Sequence, residues 1–376
     1  MIAQAETQAA LERALAFSDA ETTVVSLHAA AGNAMRFADN RITQSVAREN
    51  QSLHVTCAFG QSHGSASTND LRDESLRAVV GRAQAIARVA PPDPEFMPPV
   101  TPDEAGAIPS IEAWNEALAA HTPEDKARRL APAIAKVTAT GWRASGSIHT
   151  EASCSALANS AGLRAFHRRT SGSVQVTALG TSGSGWDERP ASPGGSLDIE
   201  GVFERALDIA RRAQDPAPIE PGPYTVILPP AAIAEFLGFM ICDAKATDDG
   251  RTFLRGKRGQ PVVGPNVTLR SDPFDSRCPG SPWHDGGLAS EATDWVRGGV
   301  LANLRHSRYW ARRQGRRPSA AANLILDGGE NSVERMIAST DRGLLITRFW
   351  YIRVVDPMTS LLTGMTRDGV FVVRDG

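Results

Sequence analysis

Cysteine is scarce in this sequence, and its placement excludes a disulfide framework. Only Cys57, Cys154, Cys242 and Cys278 occur in 376 residues, and no two of them form a C-x-x-C pair. Widely separated single cysteines are typical of thiols packed inside proteins of a reducing compartment. We therefore expect no cysteine-based metal or redox motif.

Long apolar runs are also missing. The longest, Ala231 to Cys242, is interrupted by Glu235 and is too short to cross a bilayer. Met1 is followed by Glu6 and a helix-like run, not by the basic and apolar regions of a secretory signal. A net charge of -2 gives no general attraction to nucleic acid or anionic membranes. The expected location is the cytoplasm, without a membrane partner.

The length and composition indicate a folded protein of two domains. A chain of 376 residues exceeds one ordinary core, and 41% hydrophobic with 22% charged residues is typical of globular proteins. Seven prolines between positions 91 and 109 indicate an extended connector, and a second proline-rich segment spans 215–223. We predict an α+β fold, with an N-terminal domain (1–214) built on an antiparallel sheet with helices, and a β-rich C-terminal domain (224–376).

Three local patterns fix individual elements. Asp39 and Asn40 tolerate the left-handed backbone of tight turns and predict a hairpin. Thr122, followed by proline and two acidic residues, predicts a capped helix start. The apolar segment from Pro230 to Cys242 predicts a helix after a strand at Tyr224 to Leu228.

The histidines give no local metal motif. Two zinc ligands on one helix must lie about one turn apart, and none of the eight histidines has that spacing. A composite site from Asp272, Asp275, His284 and Asp285 is one interpretation of that acidic region. Acidic turns beside a solvated histidine are the other.

Two glycine-containing motifs suggest chemistry and have simpler explanations. Gly60 to Gly64 fits G-x-S-x-G, which would make Ser62 a nucleophile at a strand-to-helix turn. No helix follows directly, so a hairpin turn is the preferred interpretation. Gly180 to Gly185 lacks the Gly-Lys-Ser/Thr ending of a phosphate-binding loop and is interpreted as a flexible loop.

A basic run near the C-terminal third is interleaved with Tyr309 and Trp310. Arginine with aromatic side chains suits a nucleic-acid backbone, but a solvated helix end is the preferred interpretation. The carboxylate of a peptide or an acidic partner surface would satisfy the same arginines. Its members are Arg305, His306, Arg308, Arg312, Arg313, Arg316 and Arg317.

Five segments, in this order and spacing, resemble the TldD/PmbA family of peptidase proteins. They comprise an early hairpin, the entry to the C-terminal domain, an "S/T-F-L-x-G-K-x-G" segment and two late strands. The segments are Arg36 to Ile42, Gly222 to Pro229, Thr252 to Gly259, Thr347 to Tyr351 and Thr363 to Gly369.

The resemblance implies a peptidase of small or unfolded peptides whose active branch carries H-E-x-x-x-H on the helix after the entry strand. An ungapped comparison puts Gly238 and Asp243 at the histidine positions and Phe239 at the general-base glutamate. Glycine and phenylalanine cannot ligate zinc. The family pattern also continues, with a cysteine ligand, beyond the equivalent of Gly376, so we expect a domain truncated at its end.

These departures favour the TldE/PmbA branch: a non-catalytic, peptide-handling subunit that binds no cofactor and pairs with a TldD-like zinc-bearing subunit. We expect Arg348, Trp350, Tyr351 and Arg367 to face the peptide or the partner, although core packing of both aromatics is an equal alternative. An autonomous hydrolase, acting through Ser62 or the Asp272 to Asp285 region, is the second hypothesis. A nucleic-acid-associated regulator acting through Arg305 to Arg317 is the third and the least favoured.

Overall fold

A long antiparallel sheet organises the first half of the chain in the computed structural model, which describes residues 3–376. The six strands lie in the order β3-β2-β1-β4-β5-β6, and every neighbouring pair is antiparallel. They are β1 (Thr22–Ala38), β2 (Arg41–Phe59), β3 (Ser62–Thr68), β4 (Arg143–Asn159), β5 (Arg164–Leu179) and β6 (Ser184–Pro190).

The predicted hairpin turn is confirmed between β1 and β2. Asp39 and Asn40 both have positive φ, at 47° and 60°, as a two-residue turn matching the twist of the strands requires. The pairing runs from Thr22 opposite Ala58 to Ala38 opposite Arg41, with one irregularity at Phe37. This single hairpin therefore sets the register of the centre of the sheet.

Helices cover one face of this sheet. The predicted start at Thr122 is confirmed, since its side chain accepts from the amide of Asp125 while the Asp125 carboxylate accepts from the amide of Thr122. The helices are α1 (Gln4–Ala16), α2 (Asp73–Val89), α3 (Pro102–Ala105), α4 (Glu116–Ala119), α5 (Pro123–Ala139) and α6 (Ile199–Arg212).

Two apolar clusters fill the space between helices and sheet. One joins α1 and α2 to β1 around Leu27 and Leu53. The other joins α5 and α6 to the opposite end of the strands, where Phe37 stacks on Phe203 with ring centroids 5.5 Å apart. Alternate residues along β1 are buried, as expected for a sheet with one covered face.

One charged side chain is enclosed beneath this sheet. Lys126 of α5 is 0% exposed, and its Nζ donates to Asn33 O at 2.8 Å, to Thr150 Oγ1 at 2.7 Å and to Asn33 Oδ1. All three acceptors are neutral. Burial consequently lowers the pKa of Lys126 to about 8.

Short strands and short helices make up the rest of the chain. The strands are β7 (Thr225–Ile227), β8 (Leu269–Ser271), β9 (Trp283–His284), β10 (Leu288–Ala289), β11 (Thr293–Arg297), β12 (Val300–Leu301), β13 (Ile325–Leu326), β14 (Arg342–Ile346), β15 (Phe349–Asp356), β16 (Leu361–Thr366) and β17 (Val370–Arg374). The helices are α7 (Pro230–Leu237), α8 (Ala244–Asp248), α9 (Arg308–Gln314) and α10 (Val333–Ala338), with a 3₁₀ turn at Gly238–Met240.

These strands form several small sheets. One has the order β12-β11-β8-β13, and another has the order β17-β14-β7, in which β14 and β7 are parallel. Buried Trp295 centres the first sheet, where its Nε1 donates to Ser271 Oγ at 2.8 Å. Strands β15 and β16 pair only with each other among residues 3–376 and form a separate ribbon. The α+β fold with an antiparallel N-terminal sheet is thus confirmed.

The two halves are joined by apolar and ionic contacts. Leu288 of β10 packs in a cluster with Leu157 of β4 and with Leu163 in the turn between β4 and β5. Arg308, only 8% exposed, binds the Glu104 carboxylate through Nε at 2.9 Å and Nη2 at 2.7 Å. Glu104 belongs to the proline-rich connector, so this segment is held against the C-terminal half.

Other expectations met mixed outcomes. The predicted Pro230–Cys242 helix is wrong beyond Leu237, because the chain tightens into the 3₁₀ turn and Ile241 is extended; glycine at 238 favours helix poorly. All four thiols are free, but Cys278 is exposed. Over residues 3–376, no helix has the length and apolar character needed to cross a membrane.

Candidate functional site

The segment aligned with the zinc helix offers no pair of metal ligands. Gly238 has no side chain, and Phe239 has no donor atom; both lie in the 3₁₀ turn after α7. Asp243 lies further on, at the start of α8, and its Oδ1 is 3.0 Å from Nε of Arg305. This ion pair lacks hydrogen-bond geometry, since the buried Arg305 Nε has no hydrogen-bond partner among the described residues. The residues of this segment do not fit a zinc ion.

The acidic region around His284 does not converge either. Asp275 is bound by Arg277 at 2.6 Å, Asp272 by Arg270 at 3.3 Å, and Asp285 accepts from the amide of Arg308 at 2.5 Å. No group of three or more potential ligands comes together within residues 3–376. The interpretation as acidic turns accounts for these contacts.

Ser62 lies in a hairpin and not at a strand-to-helix turn. It is the first residue of β3 and pairs with Phe59, the last residue of β2, across a turn in which Gly60 has φ of 58°. A nucleophile elbow requires a helix directly after the serine. The preferred hairpin interpretation is confirmed.

The glycines of the Gly180–Gly185 segment serve packing. This segment links β5 to β6, where the amide of Gly180 donates to Gly183 O at 2.9 Å. A Cβ on Gly183 would lie 2.0 Å from Ala213 O, and one on Gly185 would lie 2.1 Å from Ala206 O. Close approach to α6 therefore explains both residues without a phosphate.

Three of the four residues expected to face a peptide or partner cluster on the exposed ribbon. Trp350 and Tyr351 are 41% and 57% exposed, which contradicts the alternative of core packing. Arg367 lies over the ring of Trp350 at 4.9 Å. Tyr351 has φ of 61°, a strained conformation for an aromatic residue, and such strain concentrates at functional positions.

Arg348 lies elsewhere, at the junction between the two halves. Its Nη1 donates to Asp368 Oδ2 at 3.1 Å, and its guanidinium lies 4.1 Å from the ring centroid of Trp186. Asp368 also accepts from Ser184 Oγ at 2.7 Å, which links β6 to the C-terminal half. Arg348 is therefore placed to hold the two halves together.

Further apolar side chains surround the aromatic pair on the ribbon. Phe349 anchors it by an edge-to-face contact with Phe236 of α7, at 4.9 Å between centroids, and Ile352 is buried beneath it. The outward side chains have no such cover. Those of large apolar residues are Trp350, Tyr351, Val354, Val355, Met358, Leu361 and Met365.

The basic run divides into structural and exposed members. Arg305, His306 and Arg308 are held by contacts within the fold: Arg305 by Asp243, His306 by Leu304 O at 2.8 Å and Arg308 by Glu104. The exposed members are Arg312, Arg313, Arg316 and Arg317. Within the part of the chain that the structure describes, these residues therefore do not form one continuous row of exposed arginines that could bind a nucleic-acid backbone.

Taken with the fold, these features define a multidomain α+β protein in which the segment after α7 lacks metal ligands. Three family models match in succession: PmbA/TldA metallopeptidase domain 1 at residues 24–87, its central domain at 111–214 and its C-terminal domain at 221–376. The chain belongs to the TldD/PmbA family.

Solved structures share the whole fold. The crystal structure of TldE from Thermococcus kodakarensis has a TM-score of 0.87 at 18% identity, over 98% of this chain and 88% of that one. Structures described as candidate modulators of DNA gyrase, from Bacteroides thetaiotaomicron and Thermotoga maritima, each give 0.84 at 18% identity. They cover 100% and 98% of this chain, and 88% and 90% of theirs.

One curated relative matches in sequence, an uncharacterised protein of Methanocaldococcus jannaschii. It is 25% identical over 190 residues. That match spans 48% of this chain and 43% of the relative, so less than half of either protein is compared.

Proposed function

We propose that this chain is the non-catalytic, peptide-handling subunit of a cytoplasmic metallopeptidase complex. Its partner is a TldD-like subunit that carries the zinc ion, and the complex degrades small or unfolded peptides. This chain itself binds no cofactor. Membership of a metallopeptidase-related family supports the reaction class.

The exposed ribbon of β15 and β16 is the observation that carries the proposal. Seven large apolar side chains are exposed here, six on the two strands and Met358 on the turn that joins them. Soluble monomers seldom leave such a group uncovered. Arg353 lies 3.9 Å from the Tyr351 ring and Arg367 lies over Trp350, so cations surround the aromatic centre. Aromatic and arginine side chains together are typical of the energetically dominant part of a protein interface.

The zinc-helix segment supports the division of labour. A catalytic zinc needs three protein ligands and a base that activates water. Gly238 and Phe239 supply neither, and the carboxylate of Asp243 is occupied by Arg305. These residues support a complex in which the zinc ion is supplied by another chain.

Peptide handling follows from the open edges of the ribbon. Within residues 3–376, each ribbon strand pairs on one side only. An extended peptide can add to such an edge through backbone hydrogen bonds, and this mode accepts many sequences. That tolerance suits a complex that acts on unfolded chains.

The test combines this chain with a zinc-bearing family member and measures association, zinc content and peptide hydrolysis. We expect the lone chain to hold substoichiometric zinc and to hydrolyse nothing, and the mixture to hydrolyse faster than the zinc-bearing chain alone. Val355→Asp or Leu361→Asp should weaken association roughly tenfold or more, because each puts a charge into an apolar contact. Val89→Asp is the control, since Val89 is 84% exposed at the end of α2.

Two results would overturn this assignment. One is a tightly held zinc ion per isolated chain together with hydrolysis that a chelator stops. The other is equal loss of association in the ribbon variants and in Val89→Asp, which would remove the ribbon as the docking surface.

A further inference from the structure

A second surface in the C-terminal half has the character of a ligand site. A cleft of about 1000 Å³ lies between the β11–β12 hairpin and the segment that follows α9. Basic side chains dominate its polar lining: Arg258, Arg270, Arg297, His306, Arg316 and Arg317.

Two of these arginines are already neutralised. Arg270 binds Asp327 at 3.0 Å and Asp272 at 3.3 Å. Arg297 binds Asp294 of the same hairpin. These pairs belong to the wall of the cleft and leave little charge for a ligand.

The other three have no carboxylate partner within residues 3–376. Arg258 donates only to Ala302 O at 3.0 Å and Asn303 Oδ1 at 2.9 Å, and Arg316 and Arg317 are exposed. Glu291 also lines the cleft, so three cations face one anion. Burial lowers the pKa of Arg258, and the nearby charge of Arg316 lowers it further, so no counter-ion offsets these two effects.

An adjoining cavity of about 570 Å³ extends the cleft past Arg317. Ser290 lines this cavity; it is 6% exposed, and its buried hydroxyl has no hydrogen-bond partner among the described residues. Nδ1 of His284, in the same cavity, is likewise buried and without a partner there. Ser290 and His284 therefore add neutral polar side chains to the wall of this cavity, beside the charge of Arg317.

We propose that this cleft binds an acidic peptide segment, with a carboxylate held by Arg258, Arg316 and Arg317 and the adjoining backbone lying in the cavity lined by Ser290 and His284. The guanidinium fork matches a carboxylate with two parallel hydrogen bonds. A nucleic-acid strand suits the cleft less well, because Glu291 lies within it and only three arginines are open. The inference rests on the proposed function only for the peptide nature of the ligand.

The experiment measures binding of labelled peptides to the full chain without a partner subunit. The probe is a glutamate-rich octapeptide with a free C-terminal carboxylate, and the comparison peptide replaces Glu by Gln and ends in an amide. We expect the acidic peptide to bind at least tenfold more tightly, and the double variant Arg316→Gln, Arg317→Gln to lose roughly tenfold in affinity for it.

A matched control is available on the neighbouring helix. Arg312→Gln with Arg313→Gln removes the same charge from exposed positions outside the cleft, and its affinity should stay within about twofold of the parent, given that exposed charges at a distance are screened. Equal affinity for the two peptides would overturn the inference, as would equal losses in both double variants. Tighter binding of a single-stranded oligonucleotide than of the acidic peptide would also reject it. Because the peptide comparison uses the unaltered chain, it remains decisive even if a variant fails to fold.

Failure of this inference is distinguishable from failure of the proposed function. If the chain binds acidic peptides but never associates with a zinc-bearing subunit, the proposed peptide site stands and the proposed complex is rejected. If the chain associates and speeds hydrolysis but shows no preference for acidic peptides, the proposed complex stands and the proposed peptide site is rejected.

Discussion

Lys126→Met should abolish a rise in the free energy of unfolding that the parent protein shows between about pH 8 and pH 10.5. The ammonium group of Lys126 is enclosed and meets only the neutral oxygens of Asn33 and Thr150. Burial therefore lowers its pKa from 10.5 to about 8. In the unfolded chain the amine is hydrated and titrates near its ordinary value.

The direction follows from proton binding. Between pH 8 and 10.5 the unfolded chain still holds this proton while the folded protein has released it, so the free energy of unfolding rises with pH in that window. Each pH unit contributes up to ~1.4 kcal/mol, and the difference between 10.5 and about 8 amounts to about 3 kcal/mol in total. Below pH 8 both states hold the proton, so the contribution of Lys126 to the free energy of unfolding is constant and reflects the cost of burying its charge.

The assay is denaturant unfolding of the parent and of Lys126→Met at several pH values from 7 to 10.5. Other titrating groups act in both proteins, so the difference between them isolates Lys126. Lys136→Met is the control, because Lys136 lies on the same helix and is exposed beside Glu204. If parent and Lys126→Met respond to pH in parallel across this window, the ammonium is hydrated and the reasoning is wrong.

Two further substitutions test single contacts. Thr122→Ala removes both hydrogen bonds of the Thr122 hydroxyl at the start of α5. It should lower the free energy of unfolding, measured by denaturant titration, by about 1 kcal/mol. No change would mean that water replaces the hydroxyl at the helix start. Asp368→Asn keeps a residue that tolerates the positive φ at this position, but takes the counter-ion from Arg348. It should cost about 3 kcal/mol in the same assay. A cost no larger than that of Asp19→Asn, at an exposed position, would show that the junction does not depend on this charge.

Elements set by neighbouring residues could be predicted from the sequence. Asp39 and Asn40 fix a turn through their own backbone preferences, and the Thr122 cap is complete within four residues. The end of α7 was harder to predict, because its apolar pattern continues past Leu237 while the backbone does not. Periodicity reports which residues are apolar, and it does not weigh the poor helix propensity of Gly238 inside that apolar pattern.

The sites show the same division. The aromatics of the ribbon could be proposed as surface residues because family motifs include them. Arg348 lies in the same motif, but its contacts are with distant residues. Its ion-pair partner Asp368 is twenty residues away, and its stacking partner Trp186 lies in the N-terminal sheet. The arginine cleft was missed altogether. Arg258 and Arg316 are far apart along the chain, and only the fold brings them within electrostatic reach.

The ribbon and the cleft can be altered independently, which makes the two proposals jointly informative. The ribbon belongs to β15 and β16, whereas the cleft is built on β8, β11 and β12 with the segment after α9. The two surfaces share no strand, so we expect a charge placed at Val355 to leave Arg316 and Arg317 in their positions. Substitutions more than about 7–10 Å apart without shared partners act additively. A ribbon variant combined with the Arg316, Arg317 double variant should therefore lose partner affinity and acidic-peptide affinity by the same factors as each change alone. A larger combined loss would mean that the ribbon and the cleft influence each other, and their treatment as independent surfaces would have to be abandoned.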